Sequence, residues 1–141
     1  MSIQAVLLPL FVEVALTFVL MFWMAAQRTA ALRSGKVHPR DIALRQPNWP
    51  TGALQVAYSF ENQFELPVLF YVLTILAWSL RHADWLFVIM AWIFVLSRLV
   101  QAYIHCTSNR VSQRGMAYAV GAVVLAAMWV IFAVRILLGL P

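Results

Sequence analysis

Four long apolar runs leave this chain few folds to choose from. They cover about 3–26, 52–80, 85–106 and 114–139 of 141 residues, and each reaches the length of about 20 residues that an α-helix needs to cross a bilayer. Hydrocarbon offers no partners for backbone N–H and C=O groups, so a segment of this kind must satisfy them internally as a helix. A hydrophobic content of 64% and a mean hydropathy of +0.84 exclude an ordinary soluble domain. The expectation is therefore an all-α integral membrane protein, a single-domain four-transmembrane-helix bundle. A cleaved signal peptide is the rival reading of the first run. The absence of a positive charge before it, and its length, argue against that.

Charge is confined mainly to the connections. The net charge is +5 and the isoelectric point near 10.2, but the cations sit between apolar runs. Anionic headgroups or an anionic ligand therefore fit them better than nucleic acid does. The long first loop, about 27–50, carries Arg28, Arg33, Lys36, Arg40 and Arg45 against Asp41 alone. The third connection adds Arg110 and Arg114 without an acid. By the positive-inside rule these two loops are cytoplasmic and both termini lie outside. His38-Pro39 and Gln46-Pro47 should stop the first helix from continuing through the loop. Asn48-Trp49-Pro50-Thr51 places a capping residue and a proline where the second helix should start. Trp23, Trp49, Trp78, Trp85 and Trp129 fall near span ends, as an interfacial belt would. The lone Cys106 cannot form an internal disulfide.

Function is sought in the polar residues that fall at membrane depth, because ionisable groups there are expensive. Glu61-Asn62-Gln63-Phe64-Glu65-Leu66-Pro67 interrupts the second run, and Pro67 should kink the helix or free a carbonyl. At about 1.5 Å per residue Asn62 lies ~16 Å and Glu65 ~21 Å from Thr51, and Arg98 lies ~15 Å from Ser108. The three therefore share a layer, which suggests that Arg98 pairs with Glu65 or Glu61 while Asn62 supplies hydrogen bonds. Interhelical glue and a ligand site are both open readings. Arg110 and Arg114, one turn apart, could form a cationic mouth with His105, Arg28 and Arg33 that suits carboxylate, phosphate or thiolate. Tyr103 and Tyr118 flank that pair. Glu13 is expected to be a buried partner for a hydroxyl or amide. The three histidines are scattered, so no metal cluster is expected. No phosphate-binding glycine loop or nucleophile elbow is present.

Two stretches carry a resemblance. Asn62-Gln63-Phe64-Glu65 followed by Pro67 resembles the second-helix Asn-x-x-Glu…Pro motif of MAPEG proteins, the membrane-associated proteins of eicosanoid and glutathione metabolism. Ser97-Arg98, Ile104-His105, Asn109-Arg110 and Arg114 through Tyr118 to Gly121 are similar to their third and fourth helices. The wording around Asn62 looks like the bacterial branch, which implies a bacterial inner membrane.

The resemblance implies a homotrimer of left-handed four-helix bundles, with glutathione between neighbouring subunits near the cytoplasmic half. It implies that Asn62 and Glu65 hold the glutathione backbone or amine, and that Arg114 stabilises the thiolate with Arg110 as a possible substitute. His105 would contact the ligand and Arg28 would bind a carboxylate. Tyr58 and Glu61 stand near positions where glutathione-using members usually carry arginines, and an acid there repels a ligand with two carboxylates.

The expected activity is a thiol transferase or peroxidase acting on a lipophilic small molecule from the bilayer. A non-catalytic lipophile-binding or scaffold member of the family is the alternative. A small multidrug-resistance-type transporter using Glu13 is a further one.

Overall fold

The computed structural model describes residues 1–45 and 47–141; Gln46, half of one expected helix break, lies outside the described residues. The described chain is all-helical: α1 (Ile3–Arg33), a 3₁₀ turn (Pro39–Asp41), α2 (Thr51–Asn62), α3 (Leu66–Ser79), α4 (Trp85–Cys106) and α5 (Val111–Leu137). Three of these, α1, α4 and α5, are long and apolar enough to cross a membrane. The fourth apolar run is not one unbroken helix over 52–80. It is two short helices, α2 and α3, joined through a break at Gln63–Glu65.

The first helix also runs past Ala26 to Arg33, because Ala25-Ala26-Gln27-Arg28 and Ala30-Ala31-Leu32-Arg33 are strong helix formers that lack only hydrophobicity. It stops at a Schellman motif. Gly35 takes φ +75, and Lys36 N–H donates to the Ala31 carbonyl at 3.2 Å. The same motif ends α3, where Arg81 occupies the left-handed position at φ 62 and His82 N–H donates to Ala77 O at 2.8 Å. The cap expected of Asn48 is not made. Pro50 precedes α2 without a side-chain cap, and the Asn48 amide instead closes the loop by donating to Asp41 O at 2.7 Å.

Helix α4 is the spine, packing on α1, α2 and α5. Its buried residues Phe87, Val88, Ala91, Phe94 and Val95 continue at the same three-to-four spacing into Arg98, Gln101, Ala102 and His105, a single inward stripe. The stripe changes character partway. Toward the Asp84 end it meets Phe70, Leu73, Leu125 and Met128 in an apolar core, with the Phe70 and Phe94 rings 5.0 Å apart. Toward the other end it is polar, and that polar half adjoins the loop ends of α2 and α5. Close packing of α4 against α5 depends on Gly121, whose position leaves 2.6 Å between a would-be Cβ and Ser97 Oγ. The outer faces carry exposed large apolar side chains such as Phe11, Phe18, Phe22, Ile75, Ile89, Leu96 and Val123. A lipid-facing jacket of this kind is expected where the solvent is hydrocarbon.

Candidate functional site

The break between α2 and α3 is written in the sequence around Pro67. Gln63, Phe64 and Glu65 N–H donate to Phe60, Glu61 and Asn62 carbonyls at 3.0, 3.0 and 3.3 Å, so the last turn of α2 tightens to three-residue bonding. Pro67 has no N–H to give to Gln63, which prevents the helix from resuming in register. Glu65 becomes the residue before α3, and its side chain makes no cap. Its carboxylate is left free at a helix N-terminus, where negative charge is favoured.

Arg98 holds the break together. It is 1% exposed, and it donates through Nη2 to the Asn62 carbonyl at 3.0 Å and through Nη1 to Gln101 Oε1 at 2.6 Å. The layer shared by Asn62 and Arg98 is therefore real, but the expected partner is corrected: Arg98 binds a backbone carbonyl, not the Glu65 or Glu61 carboxylate. The geometric reason is the break, which places Glu65 on the cleft wall and leaves the Asn62 carbonyl, bonded only weakly by Glu65 N–H at 3.3 Å, open to a second donor. Glu61 pairs instead with Arg45 of the long loop at 3.1 Å. Arg98 also lies within Coulombic reach of Glu13. The Glu13 carboxylate is fully buried, and among the described residues neither of its oxygens is hydrogen-bonded, so the hydroxyl or amide partner expected for it is not found.

On the loop side of Arg98 opens a cleft of ≈ 520 Å³. Its walls bring together Asn62 and Glu65 from the break, Gln101 and His105 from α4, and Arg114 and Tyr118 from α5, with Tyr58 and Glu61 on the rim. The Arg98 guanidinium lies 6.0 Å from the Tyr118 ring centroid, behind this surface. Arg114 is not loose. It donates through Nη1 to Asn109 Oδ1 at 2.6 Å, and Asn109 adopts φ 51 where the chain turns from α4 into α5. Asparagine tolerates that left-handed conformation better than most residues, so one side chain both makes the turn and aims the arginine. His105 is buried, and its Nδ1 has no hydrogen-bond partner among the described residues.

Asn62, Glu65, His105, Arg114 and Tyr118 therefore meet on one surface. Three other sequence candidates do not join them within a single chain. Tyr103 is 71% exposed on the outer face of α4. Arg110 is the exposed residue that precedes α5 and makes no side-chain cap. Arg28 lines a neighbouring cavity, where it stacks on Trp49 at 5.1 Å. Gln101 and Asn109 were not singled out by sequence reasoning as site residues. Gln101 had a signal, since it sits three residues after Arg98 on the same face and one turn before His105. Asn109 had one too, as an isolated asparagine where a helix must stop.

Apolar helices of spanning length around a polar half-core, with a polar cleft at one end, define an α-helical integral membrane protein. A sequence model of the MAPEG family matches residues 6–134, nearly the whole chain, and the chain belongs to that family. No curated protein and no solved structure matches it.

Proposed function

We propose that the protein is a membrane-embedded transferase or peroxidase-like enzyme that uses glutathione, or another small thiol, on lipophilic electrophiles. The family supports a function of the glutathione-transferase type in general terms. The observation that carries the finer reading is the convergence of Asn62, Glu65, His105, Arg114 and Tyr118 on one cleft. The donor set fits a peptide thiol. Glu65 suits the α-amine, while the Asn62 amide and Tyr118 hydroxyl suit backbone groups. Arg114 is the cation best placed for the charge on sulfur once its proton has left to water.

Catalysis on this reading is electrostatic. The tether to Asn109 keeps the guanidinium oriented before reaction, so stabilising the thiolate needs little reorganisation. The S–C bond then forms on an electrophile approaching from the lipid side, and the leaving group departs to solvent. Completing the site is taken to require a second subunit of a homotrimer, which would add the α1 end carrying Arg28. The loops beside the cleft would face the cytoplasm, and the membrane would be a bacterial inner one.

The test is turnover of a chromogenic aryl halide with glutathione by the purified protein in lipid nanodiscs. Arg114→Ala should lower kcat by about 10²–10³, with Arg114→Lys between the two. Thiol-dependent turnover equal in wild type and Arg114→Ala contradicts the assignment. A non-catalytic ligand-binding member is the second reading. It is favoured by Glu65, an acid that lines the cleft with no cation bonded to it among the described residues, since an unpaired acid repels an anionic tripeptide. Stabilisation by a lipophile without any thiol turnover would select it.

A further inference from the structure

One ionisable group inside the bundle has no place in the cleft. Glu13, on α1, is 0% exposed, and among the described residues neither of its carboxylate oxygens meets a hydrogen-bond donor. A carboxylate so placed is unfavourable without a proton or a nearby cation. Among the described residues the cation within its reach is Arg98 of α4. That guanidinium is 1% exposed and cannot shed its charge.

Arg98 needs a counter-charge for the same reason. Both of its hydrogen bonds run to neutral acceptors, the Asn62 carbonyl at 3.0 Å and Gln101 Oε1 at 2.6 Å, and its Nε has no acceptor among the described residues. The ionisable groups within its reach are Glu13 from α1, Tyr71 from α3, Tyr118 from α5 and Glu65 from the break. Two of these are acids. Glu65 is exposed at the cleft, where water and salt screen it. Glu13 is fully buried, where opposite charges attract most strongly. The order is therefore acid, cation, cleft. Glu13 comes first, then Arg98, then Gln101 and Tyr118 of the cleft wall, with the guanidinium 6.0 Å from the Tyr118 ring centroid.

We propose that Glu13 is a positioning residue that acts through Arg98: it balances the guanidinium inside the bundle and keeps that charge off the cleft, leaving Arg114 as the cation that a ligand meets. Without Glu13 the Arg98 charge would add to a cleft already lined by Arg114, His105, Glu61, Glu65, Tyr58 and Tyr118. An anion there would be held more tightly, and a thiol would ionise at lower pH. Applied to the enzyme's own thiol, this rests on the function proposed above. Applied to the potential in the cleft, it does not.

A cysteine placed in the cleft measures that potential without any ligand. Gly115 lines the cleft, and a Cβ added there meets nothing within 4 Å. The full chain carrying Gly115→Cys and Cys106→Ser, in nanodiscs, is alkylated with iodoacetamide across a pH series, and the rate reports the thiolate fraction. Adding Glu13→Gln should lower the pH of half-maximal rate by about 0.6–1.2 units, the effect of one unit charge roughly 10–20 Å away at an effective dielectric of about 20. Glu13→Asp keeps the charge and should leave the titration at the parent value. A merely structural Glu13 would alter stability in these variants without moving the titration in one direction.

Glu13→Met gives a second route if Glu13→Gln folds poorly, since it removes the same charge with an apolar side chain of similar length and should give the same shift. In protein without the reporter, the pH profile of thiol turnover should move the same way in Glu13→Gln. Absence of thiol turnover in wild type refutes the enzyme reading and leaves the reporter to decide the proposal. A reporter titration that stays in place or rises in both Glu13→Gln and Glu13→Met, or that falls equally far in Glu13→Asp, overturns it.

Discussion

Replacing Arg98 by Met should uncouple the break from the bundle. The substitution keeps most of the buried volume, so the loss is chiefly polar. It removes the bonds to the Asn62 carbonyl at 3.0 Å and to Gln101 Oε1 at 2.6 Å. Only the Asn62 bond joins two helices, since Gln101 lies on α4 with Arg98; polar contacts between membrane helices average about 0.6 kcal/mol and reach about 1.7 kcal/mol, so losing it should cost about 0.6–1.7 kcal/mol. A further cost falls on Glu13, which is buried without a hydrogen bond and interacts with the Arg98 charge.

That cost distinguishes this account from one in which Arg98 is only a polar contact. If Glu13 depends on Arg98, Arg98→Met combined with Glu13→Gln should be less destabilised than the sum of the single variants. The coupling should exceed the about 0.5 kcal/mol scatter of independent sites. The assay is unfolding of the four proteins in mixed micelles, followed by helical circular dichroism. Additive losses within that scatter would falsify the Glu13–Arg98 coupling. Unchanged amide exchange at Glu65 in Arg98→Met would separately refute Arg98 as the clamp on the break.

Three further predictions follow from the helix ends and the close packing. Gly121→Val should destabilise by about 1–3 kcal/mol through overpacking of α4 against α5. In the smaller variant Gly121→Ala, adding Ser97→Ala should recover most of the loss, because the obstructing atom is Ser97 Oγ, held on Phe94 O at 2.6 Å. Arg81→Gly should stabilise by up to about 1 kcal/mol, since a side chain at φ 62 carries left-handed strain that glycine lacks; thermal unfolding reads the sign.

Asp84 precedes α4 and is predicted to show a pH signature. Partial burial pushes its carboxyl up, but the Phe87 N–H at 3.0 Å and Arg135 at 2.9 Å outweigh that and hold it below the usual carboxylate range. A depressed value means that the stabilisation is present above the unfolded pKa of about 3.9 and fades as pH falls through the folded one. Asp84→Asn keeps a good capping residue and loses only the charge, so its deficit against wild type should shrink below about pH 4. A deficit that is flat from pH 7 to pH 3 would contradict it.

The apolar runs made the helical bundle legible, because their length leaves no other way to satisfy the backbone in lipid. Three of the four became single helices, and the fourth broke where Pro67 warned that it would. The sequence could place Asn62, Glu65 and Arg98 in one layer from helical rise, but not choose between side chain and backbone as the partner of Arg98. That choice depends on how three residues re-aim after the tightened turn, which no periodicity encodes. Glu61 looked like a discordant acid in the cleft until the loop brought Arg45 to it from 16 residues away. Contacts across an irregular loop leave no spacing signal, so both that pair and the separation of Arg28 into its own cavity were invisible. Helix ends were easier to read at glycine than elsewhere. Gly35 advertises a stop, whereas Arg81 and Asn109 make equivalent turns with residues that do not announce them.

The central claim is that the cleft among Asn62, Glu65, His105, Arg114 and Tyr118 holds a small thiol with its sulfur at Arg114. Thermal unfolding of wild type and Arg114→Ala, each with glutathione and with an analogue carrying a methyl in place of the thiol, tests it most directly. The account predicts that glutathione stabilises wild type more than the analogue does, and that this difference disappears in Arg114→Ala. Equal stabilisation by the two compounds, or a difference that survives loss of Arg114, would contradict it.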